Sequence, residues 1–231
     1  MPNHFNQLMH NRPPTPGNSG PVVSAQTAPH EHLLAQIAKY SRSDWAKPIT
    51  DYNRAAFDRA QDWLSQRKGG LILDSGCGTG DSSRALAQMF PEHQIIGIDR
   101  SEHRLSRQRL HTPENCLLVR ADLLDFWRLA NQAGWRPERH YLLYPNPEPK
   151  PKHLTRRFHA HPIFPVLLAL GGEFECRSNW PIYLEEMALA LNFHNKKSTI
   201  QRLQNDSPSL TPFEHKYRCS GQCLWQLRAS L

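Results

Sequence analysis

The stretch Leu71-Ile72-Leu73-Asp74-Ser75-Gly76-Cys77-Gly78-Thr79-Gly80 decides the fold, because a short apolar run passes directly into a glycine turn. The residues that follow, Ser82-Ser83-Arg84-Ala85-Leu86-Ala87-Gln88-Met89-Phe90, read as a helix. Outward from it the same alternation repeats. QIIGID (94–99) precedes SEHRLSRQRL (101–110), and CLLVRAD (116–122) precedes LLDFWRLANQ (123–132). HYLLYP (140–145) and GEFECRSN (172–179) supply two further strands. Strands alternating with helices indicate βαβ units, hence a mostly parallel sheet with helices on both faces.

A glycine turn after the first strand serves two cofactor types, since bare backbone and positive φ let a ligand approach closely. The order Asp74, Gly76, Gly78, Gly80 places the last glycine one position early for a dinucleotide pyrophosphate loop. Asp74 also puts an anion where phosphates would be repelled and where the sulfonium or ammonium of S-adenosylmethionine would be attracted. Asp99 ends the second strand, placed to accept hydrogen bonds from ribose hydroxyls, and Asp122 ends the third, placed near an adenine amino group. Each Asp also precedes a helical stretch, where N-capping is the ordinary role. Three acids around one glycine turn favour the cofactor reading.

Length and composition bound the rest. The chain has 231 residues, enough for a real core, and carries 28 Lys and Arg against 21 Asp and Glu, a net charge of +7. Such a surplus favours an anionic partner. Mean hydropathy is −0.65, and the greasiest stretch, Ile163 to Leu170, is broken by Pro165 and is far shorter than the roughly 18 apolar residues of a membrane span. Five scattered cysteines and the absence of a basic-then-apolar leader lead to the expectation of a cytoplasmic protein. Residues 1–30 hold six prolines, four asparagines and one charge, Arg12, and are expected to be a disordered tail. Residues 31–68 are expected to be a helical extension, with Tyr52, Ala56, Ala60, Trp63 and Leu64 on its apolar stripe, and 69–231 one doubly wound domain.

The end of the fourth strand, Tyr144-Pro145-Asn146-Pro147-Glu148-Pro149-Lys150, resembles the Phe-Pro-Asp-Pro-Trp-Pro-Lys of the bacterial tRNA guanine-N7 methyltransferases. Leu73-Asp74-Ser75-Gly76-Cys77-Gly78 resembles their Glu-Ile-Gly-x-Gly, Ser178-Asn179-Trp180 their Thr-Asp-Trp, and Thr211-Pro212-Phe213-Glu214 their Thr-Lys-Phe-Glu. Trp225-Gln226-Leu227 resembles their closing Trp-Asp-Leu strand. The resemblance implies a class I methyltransferase (Rossmann-like) α/β fold, with a seven-stranded mostly parallel sheet and one antiparallel strand near Cys223 to Leu227. It implies S-adenosylmethionine as cofactor and tRNA as partner, with transfer to guanine N7.

On that resemblance, Asp74, Gly76, Gly78 and Gly80 hold the methionine portion, Asp99 the ribose and Asp122 the adenine region. Asn146 touches both cofactor and base, and Lys150, Arg156, Arg157, Asn179, Thr211 and Glu214 complete the substrate side. The sequence departs from the family at Asn146 and Asn179, where carboxylates stand, at Glu148, where Trp stands, and at Pro212, where Lys stands. The family's carboxylates are implied to hold the guanine edge, and an amide offers one acceptor and two donors in their place. Methylation at N7 uses a ready lone pair and needs positioning rather than a base. Asn146-Pro147 also resembles the Asn-Pro-Pro-aromatic of enzymes that methylate exocyclic amines, though the second proline and the aromatic are missing. A paralogue that binds the cofactor with a different or lost acceptor is the other alternative.

Two windows carry the charge surplus. Residues 150–157 hold four Lys or Arg and no acid, and residues 100–109 hold Arg100, Arg104, Arg107 and Arg109 against Glu102. The first, beside the expected methyl-transfer site, suits RNA phosphate; the second reads as a surface helix. His153, His159 and His161 match no closed zinc set, and no metal is expected.

Overall fold

The computed structural model describes residues 17–43, 45–107, 111–204 and 208–231. Helices α1 (Leu33–Tyr40) and α2 (Asp51–Ser65) come first. On α2 the buried face is Asn53, Ala56, Phe57 and Ala60, whereas Tyr52, expected on that face, is mostly exposed.

The sheet then builds as β1 (Leu71–Ser75), α3 (Asp81–Met89), β2 (Gln94–Asp99), α4 (Glu102–Leu105), β3 (Cys116–Arg120), α5 (Leu123–Gln132) and β4 (Arg139–Leu143). Two 3₁₀ turns, Pro151–Arg156 and Phe158–Ala160, lead to α6 (Phe164–Leu170), β5 (Glu173–Ser178), α7 (Pro181–Phe193), β6 (Ser198–Arg202), α8 (Pro212–Cys219) and β7 (Trp225–Ser230). The seven strands run in the order β3-β2-β1-β4-β5-β7-β6, with β7 antiparallel to both neighbours and the remaining pairings parallel.

Alternate residues of each inner strand feed opposite faces. Leu71, Leu73, Ile96 and Ile98 join the larger cluster with Trp127 and helices α2, α5, α6 and α7, while Ile72, Ile95 and Tyr141 pack with Leu86 of α3 on the other. Both faces are covered, as a parallel sheet requires. The strand order reverses between β1 and β4, so the chain diverges there and leaves a crevice at the carboxyl ends, the usual ligand position in open α/β sheets.

Three sequence expectations change. The helix expected over 101–110 is only α4, with Gln108 to Leu110, including Arg109, outside the described residues. The third strand stops at Arg120, and Asp122 lies beyond it as the cap of α5, accepting from Leu124 N–H at 2.9 Å. The expected disorder covers too much of 1–30. Residues 1–16 lie outside the described residues, but 17–30 run without helix or strand along the domain. Polar anchors hold this strap: Gly17 N–H bonds Cys219 C=O, Ser24 Oγ bonds Pro149 C=O at 2.6 Å, and Gln26 Nε2 bonds Glu186 Oε1 at 2.6 Å.

Beneath the strap lies a buried ionic cluster. Arg157 donates to both oxygens of Glu186, at 2.6 and 2.5 Å, and His159 Nε2 sits 2.8 Å from Glu186 Oε2. All three are excluded from solvent. Burial alone raises the Glu186 carboxyl, but His159 and Arg157 outweigh it and hold the group down at about 2. A depressed carboxyl contributes stability fully above about pH 4.5, and that stability fades as pH falls toward 2. Glu186→Gln leaves the Arg157 guanidinium buried without a counter-charge, so urea unfolding at pH 7 is expected to show a loss of about 3–5 kcal/mol. A loss under about 1 kcal/mol, the range of an exposed pair, would contradict the buried pairing.

Candidate active site

One cavity of about 860 Å³ opens at the carboxyl ends of β1 and β4. Its walls include Ser75 at the end of β1 and Gly76 after it, Asp99 at the end of β2 with Arg100 and Arg104 after it, Asp122 before α5, and the loop Tyr144 to Glu148 after β4. Asn179, Arg156, Phe213 and Tyr217 close the far side. Residues far apart in sequence and singled out on sequence grounds, Gly76, Asp99, Asp122, Asn146, Arg156 and Asn179, therefore share one space.

The floor is fixed by β1. Trp127 Nε1 donates to Ser75 Oγ at 3.0 Å, and Ser75 Oγ lies 2.8 Å from His140 Nε2. Burial pulls His140 down to about 3, so the ring is neutral near pH 7. The turn above has positive φ at Gly76, Gly78 and Gly80, for two different reasons. At Gly78 a Cβ would meet nothing within 4 Å, so bare backbone faces open space that a ligand can fill. At Gly80 a Cβ would strike Leu118 at 2.5 Å, so this glycine serves the packing of the turn against β3.

Asp99 lies on the cavity wall with part of its acceptor capacity used. Ser101 N–H donates to Oδ1 at 2.8 Å and Gly78 N–H to Oδ2 at 3.0 Å. A carboxylate accepts about four hydrogen bonds, so about two positions stay available. Arg104 approaches Oδ2 at 3.7 Å. Arg100 and Arg104 thus flank the cavity, where the sequence suggested only a surface helix.

Seven expected ligand residues lie off the cavity wall: Gly78 and Gly80 in the turn, and Asp74, Arg157, Glu214, Thr211 and Lys150. Asp74 is fully buried under the turn and does not line the cavity; its Oδ2 accepts from Ser82 Oγ and Ser83 Oγ, both at 2.6 Å. It organises the turn from below, because two hydroxyls at the start of α3 claim the carboxylate first. Arg157 is consumed by Glu186 and by the Glu148 carbonyl. Glu214 is fully buried between Arg177 and Arg218, each at 2.9 Å. Thr211 caps α8, its side chain accepting from Glu214 N–H, which accounts for the Thr-x-x-Glu spacing as a helix start. Lys150 is exposed and outside the cavity wall.

Two features escaped the sequence reading. Glu148 faces the cavity, and Phe213, 46% exposed, stacks on Tyr217, which in turn meets Tyr144. The first follows a proline loop that carries no periodicity; the second lies inside the quoted Thr-Pro-Phe-Glu run and could have been marked as an aromatic flanked by cap residues.

Burial pushes the Asp74 carboxyl up to about 6, with the two serine bonds opposing it and the charge of Asp99 adding to it. A raised carboxyl contributes stability below its ordinary pKa near 3.8 and loses it as pH rises through 6. The difference in unfolding free energy between Asp74→Asn and the wild type should therefore grow in the variant's favour from pH 4 to pH 6 and level off above. The rise from 3.8 to about 6 corresponds to about 3 kcal/mol across that window. A difference independent of pH would contradict the buried placement.

The chain matches the model of the family described as "Putative methyltransferase" over residues 68–227. It is 28% identical to a tRNA (guanine-N(7)-)-methyltransferase of Nitrosococcus oceani, over 71% of this chain and 73% of that one. It is 30% identical to a protein of the same name from Zymomonas mobilis, over 68% and 73%. Among solved structures it superposes on an antibiotic-related methyltransferase with a TM-score of 0.53 at 16% identity, covering 76% of this chain and 93% of that one. The 16S rRNA methyltransferase KamB gives 0.52 at 15% identity, covering 80% and 95%. Identities this low show the fold alone, and the fold is the class I methyltransferase sheet expected from sequence. With the fold, the match over most of the domain and the ordered motifs in agreement, the chain belongs to the tRNA guanine-N7 methyltransferase family as a divergent member.

Proposed function

We propose that this protein transfers the methyl group of S-adenosylmethionine to N7 of a guanine in tRNA. The observation that carries the proposal is one cavity of about 860 Å³ that joins the glycine turn, Asp99 and Asp122 to the Asn146–Glu148 loop. The residues present fit the cofactor: Gly78 offers open backbone, and Asp99 keeps acceptor positions on the wall. A related fold, a 16S rRNA adenine N1-methyltransferase from Catenulisporales acidiphilia, was solved with cosubstrate SAM, with a TM-score of 0.50 at 15% identity over 75% of this chain and 90% of that one.

Asp99 is assigned to the ribose hydroxyls, Asp122 to the adenine region, and Gly76 with Gly78 to the methionine portion. When bound, the cofactor supplies an electrophilic methyl group on a sulfonium. Guanine N7 carries its own lone pair and loses no proton, so the protein's work is alignment and exclusion of water. Asn146 and Glu148 are placed to hold the base, with Asn179 on the opposite wall. Arg100, Arg104 and Arg156 ring the mouth and suit phosphate, as does exposed Lys150 beyond it.

Incubation of the protein with labelled S-adenosylmethionine and unmodified tRNA, followed by nucleoside digestion, is expected to yield labelled 7-methylguanosine. Label on an exocyclic amine, or none, contradicts the proposal. Asp99→Ala should weaken S-adenosylmethionine binding about 10- to 100-fold by calorimetry, the range for hydrogen bonds to a charged group. Binding of a nicotinamide dinucleotide in place of S-adenosylmethionine would overturn the cofactor assignment.

A further inference from the structure

We infer that Glu148 is the residue that selects guanine, taking over at a new position the carboxylate role that Asn146 has lost; this rests on the guanine-N7 reading above. Glu148 lines the cavity two residues beyond Asn146. Its backbone is held at φ 45, a region non-glycine residues enter at a cost, and the conformation is clasped from behind. Arg157 Nε and Nη2 donate to its carbonyl at 3.2 and 3.1 Å, and the same guanidinium is locked by Glu186. The side chain is oriented as firmly. Asn146 Nδ2 donates to Oε1 at 2.9 Å, His153 Nδ1 lies 3.0 Å from Oε2, and Arg156 Nη1 lies 3.7 Å from Oε2.

Guanine presents N1–H and its exocyclic amine side by side, two donors that call for two acceptors in a plane. Each oxygen of Glu148 has one partner within hydrogen-bond distance and so keeps a second acceptor position. Asn146 alone cannot match this edge, because its amide has one acceptor atom against two donors. Its amide N–H₂ is turned onto Glu148, and its Oδ1 receives only the Glu148 N–H at 3.4 Å. The pair therefore works as a unit, in which Asn146 is the positioning residue and Glu148 the acceptor. The two departures from the family at this strand end are one compensated change: the carboxylate moves from position 146 to 148.

The test uses the full chain with tRNA transcripts carrying guanine or inosine at the methylated position, since inosine keeps N7 and N1–H and lacks the amine. The wild type should prefer guanine. Glu148→Gln, nearly isosteric, should lower kcat/KM on guanine about 100-fold and bring the guanine-to-inosine ratio toward one, with S-adenosylmethionine affinity unchanged. Asn146→Asp alone should also lower activity, because it sets two carboxylates at hydrogen-bond distance. The double variant Asn146→Asp with Glu148→Gln should recover at least about tenfold over Glu148→Gln, a rescue that a merely structural role for Glu148 would not give. Glu148→Gln within about threefold of wild type, or reduced equally on both RNAs, overturns the inference while leaving the guanine-N7 reading intact. A wild type that methylates no guanine N7 overturns both, and is seen before any variant is made.

Discussion

The Arg157–Glu186 ion pair is the constraint on which the active-site end of the molecule depends. Its guanidinium is fully buried and binds Glu186 of α7, the Glu148 carbonyl of the loop after β4, and Gln26 Oε1 of the strap at 3.0 Å. One side chain thus ties three segments that share no backbone hydrogen-bond ladder. The loop needs such a tie, because Tyr144 and Glu148 both sit at positive φ, and strained backbone persists only where surroundings over-determine it. Paired and hydrogen-bonded, the buried charges are tolerable; with either partner missing they are not.

From that anchor the chemistry at the cavity follows in order. Pro145, Pro147 and Pro149 stiffen the loop, Arg157 fixes its carbonyl, and the carboxylate of Glu148 is left facing the cavity with Asn146 beside it. At the glycine turn, Asp74 beneath it and Asp99 at its rim divide two tasks that the sequence assigned jointly to ligand binding. Asp74, held by Ser82 and Ser83, shapes the turn, and Asp99 presents the acceptor. Pro212 in place of the family's lysine loses a cation but sits at the first position of α8, where its fixed φ suits a helix start.

The parallel core was legible because its inner strands are largely apolar runs buried on both faces, and the run quoted for β2 matches the observed strand residue for residue. Strand β6 was not, because Ser198-Thr-Ile-Gln-Arg202 is an edge strand exposed over most of its length and carries no such run. In the site, residues recognisable by type and strand position, Asp99, Asp122 and Asn146, reached the cavity. Arg157 and Glu214 did not, because the partner of each lies far along the chain; Asp74 did not, because Ser82 and Ser83 claim its carboxylate, and Thr211 did not, because it caps α8. Arg156 and Arg157 are indistinguishable in a basic run, yet one is exposed at the cavity mouth and the other meets Glu186, 29 residues later. Glu214 similarly meets Arg177, 37 residues earlier. Pairing across the fold, not local pattern, decides which charge faces solvent.

The most direct measurement is a crystal structure of the full chain with S-adenosylhomocysteine and a guanosine nucleotide. The ribose hydroxyls should lie within hydrogen-bond distance of the Asp99 carboxylate, and the N1 and amine edge of guanine on Glu148, with N7 toward the sulfur. An adenosyl group seated away from Asp99, or a guanine whose edge does not meet Glu148, would contradict the account of how donor and acceptor meet in this cavity.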